Sequence, residues 1–439
     1  MPRGVVPLDP RVNPGWLKLE LLCRGARIDG VGAVEDAGGR PVVRTRAGLG
    51  SGLELVLDDE LRVNVPVVEA FARESPYEVR IGRDARDGGV DILHRGTPCA
   101  RARLAPRPAW YDALTRTGRP MRQVGTLQGT YLAIYPGRVC DFWVKGPERP
   151  SRESCRFCSV GLNLGQDDGE GKSLDEVLEV VHAARRENAI TYVDFNAGHA
   201  DDYAFLDALE PYVERVKRET GLLVGVQVPP HPDLSRWERL RALGANRVSF
   251  CFELFDPDRF RETCPGKARV YGLARYLETA VHCASLGRRG RRALEPWVVN
   301  GELIAGLEPA SKSVEAVWWL AERGVVPTVC VFRPLLGTAL ADRPSPPTEE
   351  VLPVFQALHE ACVRHDLPIG LAPGIHVSLV LLPEEARWLV QDEAVAAAWD
   401  RGAPRRALAR RAFAAILHGR SAWRRARSRR GTTAAAPVR

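Results

Sequence analysis

The sequence contains no uninterrupted apolar run of about 18 residues, so no helix is expected to span a bilayer. Its first residues, MPRGVVPLDPRVNPGWLKLELLCRG, lack a continuous apolar core followed by a small-residue cleavage site, which argues against a secretory signal. Ten cysteines in 439 residues are too sparse for a disulfide framework. Without a signal they read as thiols or metal ligands of a cytoplasmic protein. An overall basic surface is also lacking, although the formal charge is +7. The segment 400–439 holds twelve arginines and one aspartate, which leaves residues 1–399 at −4. The body is therefore mildly acidic, and the basicity belongs to a tail. RRARSRRGTTAAAPVR is read as a solvated, mobile end rather than a nucleic-acid arm.

What is present falls into three regions. Residues 1–122 carry short alternating stretches (LKLELLC, PVVRTRA, LELVLDD, SPYEVRIG) separated by Gly and Asp clusters, the pattern of a small β-rich domain. From 123 to 375 strand-like and helix-like segments alternate six times with short connections. Ser173 followed by Glu176 forms a capping box, and Gly221, Gly244, Gly287 and Gly324 stand where helices should end. Such alternation implies parallel strands with crossover helices, in a barrel or a doubly wound sheet. Residues 376–439 make a helical extension and the basic tail.

In a parallel barrel the chemistry lies where strands end. After the first strand come Cys140, then fourteen residues, then the hook Cys155-Arg-Phe-Cys158. A structural zinc ion normally takes four N/S ligands, and the loop holds no histidine. A [4Fe–4S] cluster usually takes four cysteines; with three, one iron stays open for another ligand. The remaining cysteines read as buried small hydrophobes, with Cys264 the one that could face the site. Glu253 ends an apolar strand, where a charge needs a partner. Arg333 could meet a carboxylate, and His199 and His231 follow strand ends. A zinc-dependent barrel enzyme and a non-enzymatic iron–sulfur carrier remain open on these grounds.

Residues 124–375 resemble a radical S-adenosylmethionine (SAM) domain. The resemblance rests on the Cys-x-aromatic-Cys hook after the first of six βα units and on four later strand ends. FNAGHAD, with Asn196, Ala197 and Gly198, stands where the family holds the SAM amino group through backbone groups. In ANRVSFCFELFDPDRFRETCPGK, Glu253 takes the place of an acidic residue that contacts SAM, and Pro265, Gly266 and Lys267 that of the following turn. ELIAGLEP matches a fifth-strand pattern through Ile304 and Gly306, with Glu308 one residue early. VCVFRPLLGT resembles a sixth strand bordering the adenine.

The resemblance implies a partial (β/α)6 TIM-like barrel and a [4Fe–4S] cluster on Cys140, Cys155 and Cys158. It also implies SAM contacts among Asn196, Gly198, Glu253, Ile304, Gly306 and Arg333. The implied reaction is reductive cleavage of SAM to a 5′-deoxyadenosyl radical that takes hydrogen from a small-molecule substrate. The electron would come from ferredoxin or flavodoxin. More narrowly, LELLCRGARIDG, SPYEV and PRPAWYDALTRTGRP make the whole chain similar to an uncharacterised bacterial subfamily with a β-rich N-terminal extension, some members of which are encoded beside nitrilases. After Cys330 only Cys362 remains, so no second cluster is expected.

Overall fold

The computed structural model describes residues 4–28, 45–47, 50–81, 89–164, 168–288 and 295–433, with only the backbone described at 45–47, 50–51, 288 and 421–433. Part of the stretch 41–47 and the last residues of the arginine-rich tail lie outside this description.

The chain opens with a helix, α1 (Pro14–Arg24), where alternation had suggested a strand. Asn13 caps it by accepting from the Trp16 N–H, and Pro14 pre-sets the first turn. Residues 15–23 are all buried. A helix covered on every side shows no polar stripe, and its sequence then imitates a strand.

Among the described residues seven strands follow: β1 (Arg27–Ile28), β2 (Thr45–Ala47), β3 (Gly50–Val56), β4 (Arg62–Val65), β5 (Tyr77–Ile81), β6 (Gly89–His94) and β7 (Thr97–Leu104). They form one sheet in the order β1-β5-β6-β7-β3-β2, with β4 also paired to β3. The pairing is antiparallel except between β1 and β5.

The second sheet holds β8 (Thr126–Gln128), β9 (Tyr131–Ile134), β10 (Tyr192–Asn196), β11 (Leu223–Gln227), β12 (Arg247–Glu253), β13 (Val298–Ala305) and β14 (Val326–Val331). Its spatial order follows chain order, and β9 to β14 are all parallel; β8 is an antiparallel hairpin partner of β9. Helices follow each parallel strand. α2 (Asp141–Val144), α3 (Val160–Asn163) and α4 (Leu174–Asn188) come after β9, α5 (Phe205–Thr220) after β10 and α6 (Ser235–Leu243) after β11. α7 (Pro257–Thr263), α8 (Pro265–Val270) and α9 (Gly272–Arg288) follow β12, α10 (Ala310–Glu322) follows β13, and α11 (Thr348–Arg364) follows β14. This is the expected partial (β/α)6 barrel with a β-rich N-terminal sheet.

Both sides of the Ser173–Glu176 capping box are made. Gly221, Gly244 and Gly324 have positive φ, as left-handed helix ends require. Gly287 does not end a helix; it lies within α9.

The two edges of the curled sheet, β8–β9 and β14, are joined by the segment 374–380. His376 O accepts from Thr130 N (3.0 Å), Thr130 Oγ1 donates to Gly374 O (2.7 Å), and Val380 pairs with Cys330 in an antiparallel bridge. On its other side this strap meets the N-terminal sheet, where Asn64 N donates to Ser378 O at 2.8 Å.

The C-terminal region is α12 (Glu393–Arg401) and α13 (Ala403–Thr433). The expected mobile tail is thus a helix, and its described part is docked. Leu417 is buried with Tyr192 and Leu223, and Phe413 packs beside them with Tyr131 and Ile375. Among the described residues no helix is long and apolar enough to cross a membrane.

Candidate functional site

Alternate residues of the parallel strands point into the barrel. On β12 these are Arg247, Ser249, Cys251 and Glu253, while Val248, Phe250 and Phe252 are fully buried on the other side, Phe250 edge-on to Trp237 of α6. On β10 the inward set is Tyr192, Asp194 and Asn196; on β13 it is Asn300, Glu302 and Ile304. Strand periodicity therefore places polar groups inside and apolar groups outside, the reverse of a two-layer sheet.

Two adjoining cavities result. The smaller, about 230 Å³, lies at the strands' C-terminal ends and is lined by Cys140, Cys155, Cys158, Tyr135, Gly198 and His199 among others. The larger, about 820 Å³, is the barrel lumen, running down to the strap and α13. Phe157, Cys158, Asn196, Gln227, Cys251 and Glu253 line both.

The three sequence-predicted thiols are thus brought to one cavity, and each has a different surrounding. Burial raises Cys140 to about 11, while backbone N–H groups of His199 and Phe142 pull the other way. Burial raises Cys158 further. Cys155 is held below its ordinary value by the Cys264 thiol that donates to it, helped by the nearby Lys267 charge. Gly198 is needed against Cys140: a Cβ there would sit 2.4 Å from the Cys140 Cβ. Among the described residues no three His, Cys, Asp or Glu side chains converge tightly enough to hold a single ion. Three thiols around a cavity suit a multi-iron cluster, whose corner irons take their ligands at a wider spacing.

The remaining predicted residues separate. Asn196 Oδ1 is buried at the junction of the cavities with no hydrogen-bond partner among the described residues, a group that awaits a donor. Glu253 is there too, but it is already paired: Lys267 Nζ lies 2.7 Å from its Oε1 and also 2.7 Å from Cys251 O. Its backbone is left-handed (φ 72°) beside a register shift in β12, an unusual conformation for a non-glycine residue. Ile304 lines the lumen.

Gly306 and Arg333 are elsewhere. A Cβ on Gly306 (φ 95°) would meet the Pro346 ring at 2.6 Å, so this glycine serves a turn and its packing. Arg333 turns away from both cavities. It donates to Asn64 Oδ1 at 2.8 Å and to Asn64 O, and anchors β14 to the N-terminal sheet. Glu308 accepts from the Phe255 and Asp256 N–H groups at 2.8 Å each and ties down the loop after β12. His199 is a clamped loop histidine: Tyr271 Oη is 2.6 Å from Nδ1, Asp201 3.0 Å from Nε2, and Phe142 stacks on its ring. His231 is bonded to the backbone of Asp233.

Sequence reasoning missed the lumen's own charges: Asp194, Arg247 and Glu302. The signal was available in RVSFCFE and YVDFN, where every second residue is polar inside an otherwise apolar strand.

No protein-family model matches the sequence. The chain is 23% identical over 329 residues to the bacteriochlorophyllide c C-7(1)-hydroxylase of Chlorobaculum limnaeum, covering 68% of this chain and 77% of that protein. Among solved structures it is similar to methylornithine synthase, with a TM-score of 0.38, 16% identity and coverage of 52% of this chain and 61% of that one. It is also similar to a maturase of the [FeFe]-hydrogenase, with a TM-score of 0.39, 13% identity and coverage of 56% and 52%. The coproporphyrinogen III oxidase of Escherichia coli, described as a radical SAM enzyme, gives a TM-score of 0.31, 16% identity and coverage of 40% and 41%. The chain therefore spans under two thirds of the length of each of these structures.

Proposed function

We propose that this chain, an enzyme of the radical SAM type, holds a [4Fe–4S] cluster on Cys140, Cys155 and Cys158, SAM beside it, and its substrate in the barrel lumen. The observation that carries the reading is the meeting of these three thiols around one cavity at the C-terminal ends of parallel strands; the fourth cysteine on its wall, Cys251, has its thiol engaged by Glu302 and Gln227. When bound, the cluster and SAM would supply a 5′-deoxyadenosyl radical that takes hydrogen from a small molecule. The protein's part is binding, orientation and exclusion of water.

Asn196 Oδ1 would accept from the SAM ammonium, a reading supported by its burial without a partner among the described residues. Glu253 adds negative charge at the same junction, shared with Lys267. Backbone N–H groups near Cys140 and the Cys264 thiol beside Cys155 are of the kind that tune a cluster's potential. An external one-electron donor, ferredoxin or flavodoxin, completes the system.

The test is anaerobic reconstitution followed by assay of 5′-deoxyadenosine with SAM and dithionite. Wild type is expected to show iron–sulfur charge-transfer absorption and to form the nucleoside. Cys140→Ala, Cys155→Ala and Cys158→Ala are each expected to lose both, while Cys283→Ala, buried outside both cavities, keeps them. Zinc in place of iron would sink the reading, and so would a full cluster that leaves SAM intact.

A further inference from the structure

The chemistry of the lumen wall restricts what it can receive. Among the described residues two arginines line it, Arg241, which donates to Leu286 O and lies over the Trp297 ring, and Arg247, which has no hydrogen-bond donor to spare. Nε donates to Asn300 Oδ1 at 2.9 Å. Nη1 donates to Tyr192 Oη and Asp194 Oδ1, each at 3.2 Å, and Nη2 to Ser249 Oγ at 3.1 Å and Glu302 Oε1 at 2.8 Å. A guanidinium carries five N–H groups, and these are five bonds. A ligand carboxylate or phosphate entering here would find no free donor on this arginine and two carboxylates facing it.

Those carboxylates are not equally occupied. Glu302 is closed: Oε1 takes Ser249 and Arg247, while Oε2 takes Gln227 Nε2 at 2.7 Å and the Cys251 thiol at 3.2 Å. Asp194 is half open. Its Oδ1 takes Tyr192 and Arg247, no donor among the described residues reaches its Oδ2, and its side chain is only 3% exposed. A second carboxylate on the wall, Glu384, lies against Gly370 and has no ion-pair partner among the described residues. Arg410 of α13 acts on it only through space. Around these groups the lower wall is apolar: Leu223, Trp297, Leu371 and Ile375, closed by Phe413 and Ile416 of α13.

We propose that the lumen receives a cationic amphiphile, a protonated amine on an apolar body, with its nitrogen on Asp194 Oδ2 and its apolar part against the floor made by the strap and α13. This deepens the reading of the lumen as the substrate chamber and rests on it. A carboxylate in a largely buried side chain gains from a donor on its second oxygen, and an ammonium supplies both the hydrogen bond and the charge. A carboxylate of the same length meets an excess of negative charge instead. α13 sets how far the apolar part can reach, so it is a specificity element.

The test uses the full-length chain and three probes that share one body: n-decylamine, n-decanol and n-decanoate, titrated calorimetrically at neutral pH. The amine is expected to bind at least about tenfold more tightly than the carboxylate, with the alcohol between them. Asp194→Asn should shrink that preference, with Glu384→Gln shrinking it less, and Ile416→Ser should weaken all three probes alike. Equal or tighter binding of decanoate by the wild type overturns the proposal whatever the variants do. So does a titration in which the amine gives no heat, or a preference untouched by both carboxylate substitutions. None of these titrations needs the cluster or SAM. A chain that selects the amine but forms no 5′-deoxyadenosine would therefore remove the enzymatic reading and leave the chamber's selectivity standing.

Discussion

Gly225 shows how tightly the lumen's polar ring is built. A Cβ at this position would lie 1.9 Å from Tyr192 Oη and 2.5 Å from Asp194 Oδ1. Both atoms are committed to Arg247 and to each other, so neither can yield. Gly225→Ala is expected to cost about 1–3 kcal/mol, read from urea unfolding; a neutral substitution would show the ring to be looser than this. Glu384 gives a second residue-scale prediction. Burial raises its carboxyl from an ordinary 4.5 to about 7. Between these values the folded state holds a proton that the unfolded state has lost, so its contribution to stability falls as pH rises through that window. His359, held down at about 4 by burial, slopes the other way from its ordinary 6.5. The comparison is therefore between wild type and Glu384→Gln: across pH 4.5–7 the variant should gain stability relative to wild type, and parallel curves would contradict the shift.

At the scale of elements, α13 behaves unlike a tail. Its residues 409, 412, 413 and 416 recur on one face and line the lumen, while Leu417, next to them, is buried against Tyr192 and Leu223. The sequence RRALARRAFAAILHG carries this stripe, but arginines on the other face dominate its composition. Removing residues 403–439 is expected to lower stability by at least about 2 kcal/mol, the worth of burying Leu417 alone, and to open the lumen floor. Denaturant midpoints of the truncated chain identical to those of the full chain would return the segment to the solvated class. The cysteine loop is another element whose length in sequence decides little. Fourteen residues separate Cys140 from Cys155, yet Ser151 N donates to Trp143 O at 3.1 Å and Gly198 seats Cys140, so the ends meet.

For the molecule as a whole, the N-terminal sheet matters by where it sits. A sheet of six parallel strands with one hairpin strand does not close on itself, and it leaves an edge at β8 and another at β14. The strap covers the gap, and the N-terminal region holds the strap through Asn64 and Lys18, while Arg333 after β14 donates to the same Asn64. Lys18 is fully buried, donating to Val377 O at 2.9 Å and lying 2.6 Å from Glu385 Oε2. Removing one partner of a buried pair strands the other charge, so Lys18→Met is expected to cost about 3–5 kcal/mol. Lys18→Met with Glu385→Leu should recover much of that loss. A double variant as unstable as the single one would mean that packing, not the stranded carboxylate, sets the cost.

The sequence by itself determined the local and periodic features. The capping box at Ser173 and the glycine ends at Gly221, Gly244 and Gly324 depend on neighbours within a few residues, and they stand where they were read. The six-fold alternation fixed parallel strands, because crossover helices leave no other arrangement, and strand ends then fixed where Cys140, Cys155 and Cys158 would meet. Only the tertiary structure decided what depends on distant partners. Whether α1 is a strand or a helix turns on burial from every side. Arg333 goes to Asn64 and not to the mouth because β4 lies beside the strap. Glu253 is paired with Lys267 because a register shift and a helix after β12 bring them together. The amphiphile-shaped lumen exists because α13, which composition alone assigns to solvent, folds back under the barrel. Apart from Glu253 and Lys267, which are 14 residues apart, the deciding contacts join residues far apart in the chain, and no local pattern records them.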